Sequence, residues 1–111
     1  MTDLKVEMLI GDNGTAEYTT DVVKGELHAF LLDTNNTLSK IVCVLKEYPS
    51  VVLLDLSNVM GDHYFPVAIP VVDGRGGVYN YSFEKYVLNN KLVFKVMGKR
   101  GTQIELFVRY S

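Results

Sequence analysis

The stretch "LVFKVMGKRGTQIELFVRY", Leu92 to Tyr110, decides the fold. Apolar residues recur at every second position on both sides of a glycine-bounded turn: Leu92, Phe94 and Val96, then Ile104, Leu106 and Val108. A period of two is the signature of a half-buried strand, and no helix of period 3.6 fits the same positions. The segment "GKRGT" supplies a glycine, Gly101, for a left-handed turn position. A hairpin with a three-residue loop is therefore predicted, pairing Val96 with Ile104, Phe94 with Leu106 and Leu92 with Val108. A loop one residue longer would set Phe94 against Glu105 and spoil the apolar face.

The same G-x-x-G-T pattern recurs at "GDNGT", Gly11 to Thr15. By the same argument, with Gly14 as the left-handed residue, Ile10 pairs with Ala16, Met8 with Tyr18 and Val6 with Thr20. Between these two lies "LHAFLLDTNNTLSKIVCVL", read as a third hairpin turning at Asn35-Asn36 in a type I′ geometry. Its strands are apolar on both faces, which places them centrally. "VVLLDL" (Val51 to Leu56) reads as a further strand after a turn at Tyr48-Pro49, and "SNVMGDHY" (Ser57 to Tyr64) as an exposed loop.

"YFPVAIPVVDGRGG", Tyr64 to Gly77, carries two prolines in a strand-like run. Pro66 and Pro70 have equal parity, so their missing donors fall on one side. Phe65, Val67, Ile69 and Val71 remain free to pair through the other. That is the pattern of a protected edge strand. The glycines that follow lack the spacing of a phosphate-binding loop, and no helix N-terminus follows them.

The chain has 111 residues, which suits one domain, residues 1–111, and is too short for two ordinary ones. With 48% hydrophobic and 22% charged residues it is globular in composition. No apolar run is long enough for a membrane helix, and no signal peptide is apparent. One cysteine, Cys43, cannot form an internal disulfide, which points to synthesis in a reducing cytoplasm. The net charge of -2 argues against general nucleic-acid binding, but the charge is uneven. Residues 1–73 hold four Lys against eleven Asp or Glu, and residues 74–111 hold seven Lys or Arg against two Glu. Either these halves interleave and neutralise each other, the preferred reading, or they form complementary surfaces.

Signals for chemistry are sparse. In the predicted central hairpin His28 faces Cys43, a thiol beside an imidazole. Nothing nearby orients the base, however, and a buried cysteine and histidine are the simpler reading. Asp62 and His63, with Asp55 or Asp73, show no ligand-spaced motif, so no metal and no cofactor is expected. Aromatics from Tyr79 to Tyr86 leave open a carbohydrate- or small-ligand-binding surface as the alternative function.

The outer face of the last hairpin is more informative. In the predicted register Val93 lies opposite Phe107 with Met97 nearby, among Lys91, Lys95 and Arg109. An apolar centre with a charged rim suits a protein contact.

The runs "YFPVAIPVVD", "KYVLNNKLVFKVMG" and "QIELFVRY" resemble small virion proteins of tailed bacteriophages, of the head-accessory or decoration type. The resemblance covers the C-terminal part of the chain and rests on pattern, with no diagnostic motif. It implies a compact β-sandwich that docks on other virion subunits or on copies of itself. The expectation is thus an all-β protein, a small antiparallel sandwich of about eight strands. It is not an enzyme, and its partners are proteins, neither nucleic acid nor membrane.

Overall fold

The computed structural model describes the chain except residues 65–68, 73–77 and 85; side chains are also left undescribed at 63, 69–72 and 78–84. Every described element is a strand: β1 (Thr2–Leu9), β2 (Thr15–Thr19), β3 (Val23–Thr34), β4 (Leu38–Leu45), β5 (Val52–Val59), β6 (Asp62–Tyr64), β7 (Ile69–Val72), β8 (Val78–Glu84), β9 (Val87–Asn90), β10 (Leu92–Gly98) and β11 (Gln103–Tyr110). A front sheet runs β1-β11-β3-β6, with β9 also on β3, and a back sheet runs β2-β10-β4-β5. All pairings are antiparallel. The antiparallel β-sandwich expected from the alternation is the fold.

The six residues assigned inward in the last two strands, Leu92, Phe94, Val96, Ile104, Leu106 and Val108, are all buried in one core shared by both sheets. The pairing is different from the one expected. β10 pairs with β2 and β4, whereas β11 pairs with β1 and β3, so the last two strands are not a hairpin. The first two are not a hairpin either. Each pair is an arch that crosses from one sheet to the other.

The physical reason is that a lone hairpin has nothing to cover its apolar face. An arch turns the same two faces toward each other across the core. The two arches stack: Gly98 N–H donates to Gly14 O at 3.0 Å, Gly101 N–H to Ile10 O at 2.9 Å and Ile10 N–H to Thr102 O at 3.0 Å. Gly14 and Gly101 do hold left-handed conformations, at φ 76° and 83°.

The connection between β3 and β4 is a third arch. Asn58 is the only described non-glycine residue with positive φ, so Asn35 and Asn36 do not form the type I′ turn. Instead Asn35 Oδ1 accepts from Gln103 N–H at 2.9 Å, and the buried Thr34 hydroxyl sits against the carbonyls of Asn36 and Met60. Both strands lie centrally, as their two apolar faces required. His28 in β3 and Ser39 in β4 are extra residues where the register shifts. Each bulge restores the inward face after a break in parity, from Leu27 to Phe30 and from Leu38 to Ile41.

β4 and β5 form a true hairpin through the Tyr48-Pro49 turn, where Val51 N–H donates to Tyr48 O at 2.9 Å. The segment read as a loop is mostly strand: Ser57 and Val59 pair with Lys40 and Leu38, and Asp62 to Tyr64 pair with β3. Ser57, Asn58, Met60, Gly61 and Asp62 are all exposed, so the stretch lacks the apolar alternation that marks the other strands.

β6 and β9 both lie on the same side of β3, Tyr64 beside Phe30 and Val87 beside Glu26. Between them β7 and β8 form a two-stranded sheet of their own. Pro70 therefore sits in a strand whose one described partner is β8; Pro66, Phe65, Val67 and the glycines of 73–77 lie outside the described residues.

The two charge halves interleave. β1 and β2 come from the acidic half and pair with β11 and β10 from the basic one. Asp3–Arg109 at 2.9 Å and Asp12–Arg100 at 2.7 Å join them directly.

Candidate protein-contact face

Because each arch divides its strands between sheets, the six residues expected in one patch are divided too. Phe107 and Arg109 belong to the front sheet; Val93, Lys95 and Met97 belong to the back sheet, with Lys91 just before β10. Val93 lies beside Thr19 and Val44, not opposite Phe107, and is buried. Met97 is exposed, and Lys95 stands between Glu17 and Val42.

On the front sheet the register builds a different group around Phe107. The residues of β1, β11 and β3 whose side chains face away from the core align in rows: Asp3–Arg109–Ala29, of which Ala29 is itself buried, then Lys5–Phe107–Leu31, then Glu7–Glu105–Asp33. Phe107 and Leu31 are half-buried and neighbours on the two middle strands, so the apolar centre is aromatic and aliphatic.

Asp3 closes one side of this centre with a fork of two hydrogen bonds from Arg109, Nε to Oδ1 at 2.9 Å and Nη2 to Oδ2 at 3.1 Å. That fork lowers the Asp3 pKa and raises that of Arg109. The carboxylate's depressed value means that this contribution is present at neutral pH and is lost as pH falls through the acidic range. Both groups are solvated, so its worth is small.

The opposite rim is acidic. Glu105 stands directly between Glu7 and Asp33, a like-charge arrangement that strands normally avoid. Lys5 relieves part of it, with Nζ 2.9 Å from Glu7 and 3.8 Å from Glu105, and these carboxylates raise its own pKa. Open grooves flank the Gln103–Glu105 segment: one of about 220 Å³ lined by Asp33, Thr34 and Asn35, and one of about 440 Å³ lined by Glu7, Met8 and Leu9.

Among the described residues no three His, Cys, Asp or Glu side chains converge to hold a metal ion. Asp55 is engaged by Lys40 at 2.5 Å, and Asp73 lies outside the described residues. No helix among the described residues is long and apolar enough to cross a membrane.

His28 and Cys43 do not meet. They lie in different sheets, His28 bonded through Nε2 to Ser111 Oγ at 2.6 Å and Cys43 wholly buried. Burial pushes the Cys43 thiol well above its ordinary pKa, away from a reactive thiolate. Native protein at neutral pH should therefore resist iodoacetamide at Cys43 for hours and react at once in denaturant. Stoichiometric labelling of the folded protein within minutes would place the thiol at the surface.

Of the tyrosine-rich segment, Tyr79 and Tyr81 lie in β8, their side chains outside the described residues, while Tyr86 packs against the core.

Leu31, Asp33, Lys5 and Glu7 were not singled out by sequence. Alternation puts Leu31 and Asp33 on one face of their strand, but only the topology sets that face beside Phe107. Comparison with protein-family models, curated proteins and solved structures finds no match to this chain.

Proposed function

We propose that this chain is a non-enzymatic structural protein of a virus particle. In this reading it is a capsid-associated accessory subunit of a tailed bacteriophage, made in a reducing cytoplasm and then carried on the virion. It docks through the outer face of the front sheet on another virion protein. The observation that carries the reading is the Phe107–Leu31 centre on the middle strands, bounded by the Asp3–Arg109 fork and the Glu7–Glu105–Asp33 row. An apolar centre desolvates on contact and a polar rim sets orientation. The surplus of carboxylates selects a partner surface carrying Lys or Arg, and that component weakens with salt.

The test has two parts. Mass spectrometry of virions purified from the source should find the chain in stoichiometric amount. The double variant Leu31→Glu, Phe107→Glu should keep its stability in urea within about 1 kcal/mol of the parent, because both side chains lie outside the core. It should lose virion association by at least about 100-fold, since charges then enter the desolvated centre. Virions without the chain, or a folded double variant that still binds, would refute the proposal.

A further inference from the structure

A sandwich has four strand edges, and in this chain three of them are blunted. β2 is a short edge of 5 residues. β5 carries a register shift beside β4, and Asn58 near its end has φ 54°. The outer edge of β3 is occupied by two separate pieces, β6 of 3 residues and β9 of 4. These are recognised ways of preventing edge-to-edge pairing.

β1 is neither short, broken nor covered; the one such device it carries is charge, at Asp3, Lys5 and Glu7. It runs 8 residues in unbroken register with β11, from Thr2 beside Tyr110 to Leu9 beside Gln103, with no proline and no bulge. Among the described residues β11 is its only strand partner.

Which groups face outward follows from the arch. The bond from Ile10 N–H to Thr102 O continues the same register, so even-numbered residues bond toward β11. The N–H and C=O groups of Asp3, Lys5, Glu7 and Leu9 therefore point away from it, along the open edge. Only pairings that set odd residues against odd residues can satisfy those groups.

We infer that β1 pairs antiparallel with β1 of a second copy about a two-fold axis through Val6, joining the two front sheets into one. In that register Lys5 faces the partner's Glu7 and Glu7 faces the partner's Lys5. Leu4 faces Met8, and Val6 faces itself. Asp3 and Leu9 are opposed at the ends.

The sequence of the strand selects this axis. An axis through Lys5 would set Lys5 against itself and Asp3 against Glu7. An axis through Glu7 would set two Glu7 side chains together. Opposed like charges disfavour both. An axis through Leu4 matches Asp3 with Lys5, but Asp3 is already held by both bonds from Arg109. It would also leave Leu9, 62% exposed in the monomer, uncovered. The axis through Val6 converts the Lys5–Glu7 pair within one strand into two pairs between strands, and it extends the core across the edge through Leu4 and Met8. This inference does not depend on the virion reading, and the outer face around Phe107 stays open in the dimer.

Sedimentation velocity over a concentration series tests it on the chain itself. The parent should dimerise reversibly, more weakly as salt is raised. Glu7→Lys sets a second lysine against Lys5 in both symmetric pairs and should weaken the dimer at least about tenfold. The substitution should not harm the monomer, since position 7 lies opposite Glu105 and a lysine there relieves a like-charge pair. Adding Lys5→Glu to Glu7→Lys restores opposite charges in both pairs and should restore dimerisation. A parent that stays monomeric up to ~1 mM would overturn the inference. So would a dimer that Glu7→Lys leaves unchanged, or one that the charge swap fails to rescue.

Discussion

Phe94→Ala should destabilise the protein by about 3–5 kcal/mol, the cost of removing a buried aromatic ring and leaving the cavity behind. Phe94 in β10 and Phe30 in β3 are both fully buried, one from each sheet. Their rings meet edge to face, with centroids 6.0 Å apart and planes at 84°. That geometry sets the positive ring edge against the negative ring face and adds to the burial itself. The pair joins the two sheets through their largest buried side chains, so the cavity opens where the arches depend on it. A domain of this size has on the order of 5–15 kcal/mol in total, so the loss removes a large fraction of its stability. Phe94→Leu, which keeps most of the volume, should cost under about 2 kcal/mol. Phe107→Ala on the outer face should cost less than Phe94→Ala. Urea unfolding at a common m-value reads all three. Equal losses at Phe94 and Phe107 would mean that inside and outside are wrongly assigned.

That contrast between two phenylalanines shows what alternation alone makes legible in the sequence. Side-chain alternation reports which face of a strand is apolar: it puts Leu92, Phe94, Val96, Ile104, Leu106 and Val108 inward, and all six are buried. Alternation does not report which strand lies alongside. A hairpin and an arch with the same turn bring Val96 and Ile104 toward each other equally well, one across a ladder and one across a core. The G-x-x-G-T turns fit both, since Gly14 and Gly101 take the same left-handed conformation in either. Reading each arch as a hairpin then propagates: the 98–102 turn puts Val93 opposite Phe107, the Asn35-Asn36 turn puts His28 opposite Cys43, and in the structure each pair is split between the two sheets.

The bulges at His28 and Ser39 were illegible for a related reason. A single inserted residue looks, in sequence, like an apolar run on both faces, which a central strand shows anyway. The contact face was only half visible. Phe107 stands out as an aromatic residue at an outward position, but Leu31, Lys5 and Glu105 join it through pairings between segments far apart in sequence.

Gly25→Ala should cost about 2–4 kcal/mol, although glycine in a strand is ordinarily a weakness that alanine repairs. Gly25 in β3 has φ 138°, a conformation that side-chain-bearing residues rarely adopt. It also lies against the backbone of Ser111. A Cβ built there would fall into the Ser111 carbonyl, 2.9 Å from its carbon, with the Tyr110 ring 3.5 Å away. The first obstacle is backbone, with no flexible side-chain tip to give way, so the strand must move. Movement threatens the bonds next to it: Glu26 N–H to Ser111 O at 2.8 Å and Ser111 N–H to Glu26 O at 3.0 Å. Strain of about 1–3 kcal/mol and about 0.5 kcal/mol for each of the two weakened bonds give the range. The loss should be local in origin, so His28, bonded to Ser111 Oγ, reports it. Its imidazole proton resonances should shift in Gly25→Ala and stay in place in Lys24→Ala, whose side chain is exposed. A Gly25→Ala variant as stable as the parent would show that β3 does not hold the 110–111 segment as closely as this packing requires.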